Sequence, residues 1–114
     1  MPTKDVKTIT ELKRNIDNKS VLCLYYWNSC RHCIEFKPIW EKVLQKSKNN
    51  NINSIMVELS VLKKLNDIDF GKYGVQAFPT ICYYNVGYNN KVLFNYERNE
   101  ANLQKFINKF INDK

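Results

Sequence analysis

Two cysteines stand three residues apart in Cys30-Arg31-His32-Cys33. Thiols at that spacing can close a small disulfide ring if both lie on one face of a helix start. The pair follows the apolar run Val21 to Trp27 and opens a helical pattern. A helix N-terminus offers unpaired amide donors and partial positive charge, which stabilise a thiolate at the first cysteine. Arg31 and His32 add positive character, so a thiol here is expected to fall from ~8.5 into the ~3.5–7.5 range. The chemistry implied is nucleophilic attack on disulfides. Two other readings of the pair stay open at this point. One is a zinc knuckle, although structural zinc usually needs four ligands and Cys23 and Cys82 are single, each inside an apolar run. The other is a pair of inert thiols.

The elements around the pair must place it. Thr8 and Glu11 fit a capping box ahead of a helix from Ile9 to Asn18. Val6 and Lys7 fit a short edge strand before it. Val21 to Trp27 is apolar without alternation, which suits a strand buried on both faces. Arg31 to Lys48 reads as a helix with Phe36, Ile39, Trp40, Val43 and Leu44 on one stripe, kinked at Pro38 and stopped by Asn49-Asn50-Asn51. Ser54 to Leu59 reads as a strand. Val61 to Tyr73 reads as a broken helix with Leu62 and Leu65 inward and Gly71 and Gly74 near its end. Phe78 to Tyr84 and Lys91 to Tyr96 read as a hairpin closed by residues 85–90, and Glu100 to Asn112 as a last helix. Strands alternating with helices predict an α/β fold, a mixed sheet covered on both faces.

Composition sets the bounds. With 114 residues, 44% hydrophobic and 13% aromatic, the chain is expected to form one domain over 1–114 and is not disordered. The seven-residue run at Val21 is far too short to span a bilayer, so no membrane role is expected. Four cysteines are too few for a disulfide scaffold. Residues 1–6 lack the apolar stretch of a secretion signal, so a cytoplasmic setting is expected. The net charge of +7 admits a nucleic-acid partner in principle. However, 16 asparagines, 15 lysines and 10 isoleucines match AT-rich coding, and the lysines are scattered, so no nucleic-acid role is expected. That coding bias would suit a large DNA virus, acting in the virion or host cytoplasm, or an AT-rich intracellular microbe.

Trp27-Asn28-Ser29-Cys30-Arg31-His32-Cys33, with Phe36 and Pro38 behind it, resembles the thioredoxin superfamily. So does Lys72-Tyr73-Gly74-Val75-Gln76-Ala77-Phe78-Pro79-Thr80. The resemblance covers nearly the whole chain. It implies a thioredoxin fold with a central mixed sheet of four to five strands and about four helices. It makes Cys30 the attacking and Cys33 the resolving cysteine. Pro79 would carry a cis peptide bond facing the pair, and Phe78 would bind an extended substrate through its backbone. Trp27, Phe78 and Pro79 would form the substrate surface. Gly87 would serve the hairpin.

His32 before the second cysteine, and the run Tyr96-Glu97-Arg98-Asn99-Glu100-Ala101, look nearer to protein disulfide isomerase domains. A histidine there can stabilise the Cys30 thiolate and make the disulfide a stronger oxidant. Where this chain has Leu24 the family often buries an acidic residue that helps take a proton from the resolving cysteine; here Glu58 on the neighbouring strand or a water would have to substitute. It usually has tryptophan where Ser29 stands, and often glycine where Glu97 stands. Cys23 and Cys82 would be reduced core residues on adjacent strands. The function implied is protein thiol–disulfide exchange and electron transport by a monomer, without metal or organic cofactor. A reductase, glutathione or a sulfhydryl oxidase would reset the pair. A non-enzymatic adaptor with the same fold is the main alternative, and a basic nucleic-acid module a remote one.

Overall fold

The computed structural model describes residues 3–49, 51–64 and 71–111. Five strands form one sheet: β1 (Lys4–Val6), β2 (Ser20–Tyr26), β3 (Ser54–Glu58), β4 (Thr80–Asn85) and β5 (Lys91–Leu93). Their order is β1-β3-β2-β4-β5. β3 runs parallel to both β1 and β2, while β4 is antiparallel to β2 and β5.

Among the described residues the sheet is covered by α1 (Ile9–Asn18), α2 (Arg31–Leu44), α3 (Leu59–Leu62) and α4 (Glu100–Ile111), with a further helical stretch at 71–73. α1 starts where the capping box places it. Thr8 Oγ1 accepts the Glu11 N–H at 3.1 Å, and Glu11 Oε1 accepts the Lys7 N–H at 3.1 Å. The first bond satisfies a donor that the helix start leaves open, and the second ties the residue before the cap to the first turn.

β2 is the centre of the molecule, and its alternation splits the core in two. Val21, Cys23 and Tyr25 face α1 and α3, packing with Leu12, Ile16 and Leu62. Leu22, Leu24 and Tyr26 face α2 and α4, packing with Phe36, Trp40 and Phe106. A strand with apolar side chains on both faces has no solvent side, which is why its sequence shows no alternation.

Several boundaries differ from the sequence reading. α2 ends at Leu44 rather than Lys48, because the Asn49 side chain donates to the Val43 carbonyl at 2.7 Å and turns the chain. Pro38 lies inside α2 on its exposed side, and the helix continues through it. β3 stops at Glu58, whose carboxylate accepts the Ser60 N–H and opens α3. β4 begins at Thr80 rather than Phe78, and β5 ends at Leu93 rather than Tyr96. Beyond β5 the Phe94 N–H still bonds Ile81 O at 2.9 Å, but Asn95 and Tyr96 leave the sheet. Of the broken helix, α3 and a helical stretch at 71–73 are seen; Leu65 and the span 65–70 lie outside the described residues, as does Asn112. Gly87 sits at φ +112°, a left-handed conformation that glycine adopts without Cβ strain. Its N–H bonds Ile16 O at 2.7 Å and ties the β4–β5 turn to the end of α1.

Candidate functional site

β2 ends at Tyr26 and α2 begins at Arg31, so four residues turn the chain between sheet and helix. Cys30 is the N-cap of α2. Its N–H donates to Trp27 O at 3.0 Å, and its carbonyl accepts the Ile34 N–H at 3.0 Å. Its Sγ accepts the Cys33 N–H at 3.3 Å. The sulfur thus stands where the helix presents free amide donors and its positive dipole end. On its other side Cys30 Sγ lies 3.7 Å from the carbonyl oxygen of Phe78. The Phe78–Pro79 peptide bond is cis, and Pro79 is buried.

The two cysteines occupy different environments. Cys30 is half-buried, whereas Cys33 is 3% exposed. Burial pushes the Cys33 thiol up to about 12, and the neighbouring Cys30 sulfur adds to the rise. The backbone of Trp27 and the Arg98 cation pull it the other way. One thiol is therefore placed to attack and the other kept protonated. All four cysteines are free thiols.

Arg31 and His32 are exposed and both lie near Glu35: Arg31 Nε is 3.8 Å from Oε2 and His32 Nδ1 is 3.9 Å from Oε1. The Arg31 charge is thus shared with that carboxylate rather than spent on Cys30 alone. His32 also lines a groove of about 320 Å³ with Glu35, Phe36, Ile39, Tyr96, Glu97 and Arg98. Glu97, which stands where the resembled family often has glycine, thus lines this groove. Trp27 is 43% exposed beside the pair, and Phe78 touches both halves of the core. The structure thus brings Trp27, Cys30, Cys33, Phe78 and Pro79 together at one end of the sheet.

Cys23 and Cys82 do not join them. They are direct partners in the β2–β4 pairing, fully buried on the α1 face of the sheet, away from Cys33. Among the described residues no three His, Cys, Asp or Glu side chains converge as metal ligands.

Two residues near the site were given no firm role by sequence reasoning. Arg98 follows Glu97 in the β5–α4 loop, and its cation acts on Cys33. Nothing local in the run Tyr96 to Ala101 ties it to a cysteine so distant in sequence. Glu58 accepts the Asn28 N–H at 3.1 Å, bracing the turn that leads to Cys30. Its approach depends on the parallel pairing of β3 with β2, which no local pattern records.

The family model described as Thioredoxin matches residues 4–109. Protein disulfide-isomerase erp38 of Neurospora crassa is 32% identical over 96 residues, covering 80% of this chain and 24% of that protein. Protein disulfide-isomerase 1 of Caenorhabditis elegans is 27% identical over 95 residues, covering 82% of this chain and 18% of that one. The chain therefore spans about a fifth of the length of these curated relatives. Among solved structures, the thioredoxin of Malassezia sympodialis superposes with a TM-score of 0.77 at 17% identity, over 97% of this chain and 95% of its own. The J-Trx1 fragment of ERdj5 superposes at 0.79 with 16% identity, over 96% of this chain and 50% of its own. At these identities the two structures speak for the fold alone.

Proposed function

We propose that this chain, which belongs to the thioredoxin family, is a thiol–disulfide oxidoreductase acting on protein substrates through Cys30 and Cys33. One observation carries the reading: Cys30 Sγ caps α2 and faces the Phe78 carbonyl, with Cys33 buried three residues on. The Cys30 thiolate attacks a substrate disulfide, forms a mixed disulfide and releases one substrate sulfur as thiolate. Cys33 then loses its proton and attacks Cys30 Sγ. The second substrate sulfur leaves, and a Cys30–Cys33 disulfide remains. The reverse sequence donates that disulfide to a dithiol. Trp27, Phe78 and Pro79 form the surface against which an extended substrate lies. A reductase or glutathione resets the pair in one direction and a sulfhydryl oxidase in the other.

The deciding experiment combines turnover with potential. Insulin reduction should proceed with the unaltered chain and stop with Cys30→Ser. No turnover in either protein would leave an adaptor as the better reading, and turnover that survives Cys30→Ser would show that Cys30 is not the attacking thiol. Equilibration with glutathione mixtures gives the direction of flux: a potential near ~−270 mV places the pair with reductants, and one near ~−180 mV with isomerases and oxidases. His32 at the groove edge supports the second, and His32→Pro should then lower the potential.

A further inference from the structure

The attacking sulfur and the backbone it faces reach the site from different strands. β2 leads through residues 27–29 to Cys30, while the segment from Tyr73 to Pro79 leads into β4. Cys30 Sγ lies 3.7 Å from the Phe78 carbonyl oxygen, so an extended substrate has to satisfy both at once. A shift of about 1 Å between such partners is enough to misalign an attack. The pairing of Tyr25 with Thr80 fixes β2 against β4, but it ends where the segment ends.

Inside the core the segment meets a relay of hydroxyls. Tyr84 on β4 donates to the Tyr73 carbonyl at 2.6 Å. With that proton committed, Tyr25 on β2 is the donor in the 2.7 Å contact between the Tyr25 and Tyr84 hydroxyls. Tyr25 and Tyr84 are fully buried and Tyr73 is nearly so, so bulk water does not compete for these bonds. The Tyr73 ring stands edge-on to Tyr84 at 6.3 Å and to Tyr88 at 5.7 Å. Val75 is buried in the same cluster, and Phe78 packs against it. At the far end Thr80 Oγ1 donates to Ala77 O at 2.5 Å. Side chains of β5 stand close at Gly74: its φ is +80°, and a Cβ there would lie 3.3 Å from Leu93 Cδ2 and Lys91 Cε. Neither tyrosine hydroxyl has a part in the exchange of sulfurs.

We infer that Tyr84 is a positioning residue: through the Tyr73 carbonyl it fixes the segment that presents the Phe78 backbone, and so sets the affinity for polypeptide disulfides without acting on the Cys30 thiol. This rests on the thiol–disulfide reading above and divides its substrates into two classes. A polypeptide disulfide needs both Cys30 and the Phe78 backbone. A disulfide too small to lie along Phe78 needs the sulfur alone. Tyr25 is the outer member of the relay, and Tyr25→Phe leaves the bond from Tyr84 to Tyr73 in place.

The test compares the two classes. A peptide carrying a disulfide-linked cysteine and hydroxyethyl disulfide are each reduced by the folded protein, with dithiothreitol supplying the electrons. Tyr84→Phe should raise KM for the peptide by about fivefold or more and leave kcat within about twofold, the pattern of lost binding rather than lost chemistry. Its rate with hydroxyethyl disulfide should stay within about twofold of the unaltered chain, and Tyr25→Phe should stay within about twofold on both substrates. Gly74→Ala disturbs the same segment from the β5 contacts and keeps the relay, so it should follow Tyr84→Phe; it decides the matter if Tyr84→Phe does not fold. An unchanged peptide KM in the folded variants, equal losses on both substrates, or a Tyr25→Phe effect as large as that of Tyr84→Phe would overturn the inference and leave the oxidoreductase reading standing. No reduction of either substrate by the unaltered chain would remove both.

Discussion

At the scale of single residues, sequence spacing says that two thiols can meet, but environment says what each does. Cys30 is the half-buried cap of a helix, and Cys33 is enclosed. Iodoacetamide on the folded, reduced protein should therefore alkylate Cys30 first and spare Cys23, Cys33 and Cys82, as peptide mapping would reveal. Arg98→Gln should slow release through Cys33 and move its pH profile upward, because the cation that offsets burial is gone. Equal profiles would show that the Arg98 charge is screened by solvent. The buried thiols also bear on stability. Burial raises Cys82 to about 11 and Cys33 to about 12. Both lie above ~8.5, the ordinary thiol value of an unfolded chain. Above that value the unfolded chain releases these protons first, so stability is full below it and falls as pH rises toward the folded values. Cys82→Ala should make that alkaline fall shallower in urea titrations. The redox pair was legible because its residues are local. The resemblance pointed to Glu58 on the neighbouring strand, but its bond to the Asn28 N–H and the action of Arg98 on Cys33 were not legible, because only the folded chain brings those groups together.

At the scale of elements, apolar runs and periodicity located α1, β2, α2, β3, β4, β5 and α4, while β1 overlaps its reading only at Val6 and α3 begins two residues early, at Leu59; tertiary contacts set the ends. The stripe Phe36 to Leu44 defines α2, but nothing in its period predicts a stop at Leu44. The stop comes from Asn49, which is fully buried. Its amide donates to Val43 O at 2.7 Å and to Gln104 Oε1 at 2.8 Å, while Gln104 returns a bond of 3.1 Å. One side chain thereby ends α2 and fastens it to α4. Asn49→Ala leaves the Val43 carbonyl without this donor and should cost about 1–3 kcal/mol by denaturant titration. A loss well under 1 kcal/mol would mean that water replaces the amide. At β5 the alternation runs on to Tyr96, yet the chain leaves the sheet earlier. Phe94 and Tyr96 turn their rings to α4, where Phe94 meets Phe106 edge-on at 5.3 Å and Lys109 sits 5.3 Å over Tyr96. Those contacts are non-local, and a strand period cannot report them.

At the scale of the whole molecule, three elements meet in a chain of hydroxyls beneath the sheet. Tyr84 on β4 donates to the carbonyl of Tyr73 at 2.6 Å. Its proton is thus committed, so the 2.7 Å contact between the Tyr25 and Tyr84 hydroxyls is donated by Tyr25 on β2. Direction makes the two tyrosines unequal. Tyr25→Phe removes one bond and leaves Tyr84 still holding Tyr73. Tyr84→Phe removes both, and with them a link between the sheet and the segment that leads to Phe78 and Pro79. Both rings are fully buried, so neither loss is repaired by bulk water. Tyr84→Phe should therefore cost about 1–3 kcal/mol and exceed Tyr25→Phe. The double variant should cost little more than Tyr84→Phe alone, because the Tyr25 bond is already lost with its acceptor. Urea titration of the three proteins measures the cycle. Additive costs would show that the two hydroxyls are not coupled. Equal single costs would reverse the donor assignment, placing the Tyr84 proton on Tyr25 and leaving the Tyr73 carbonyl to another donor.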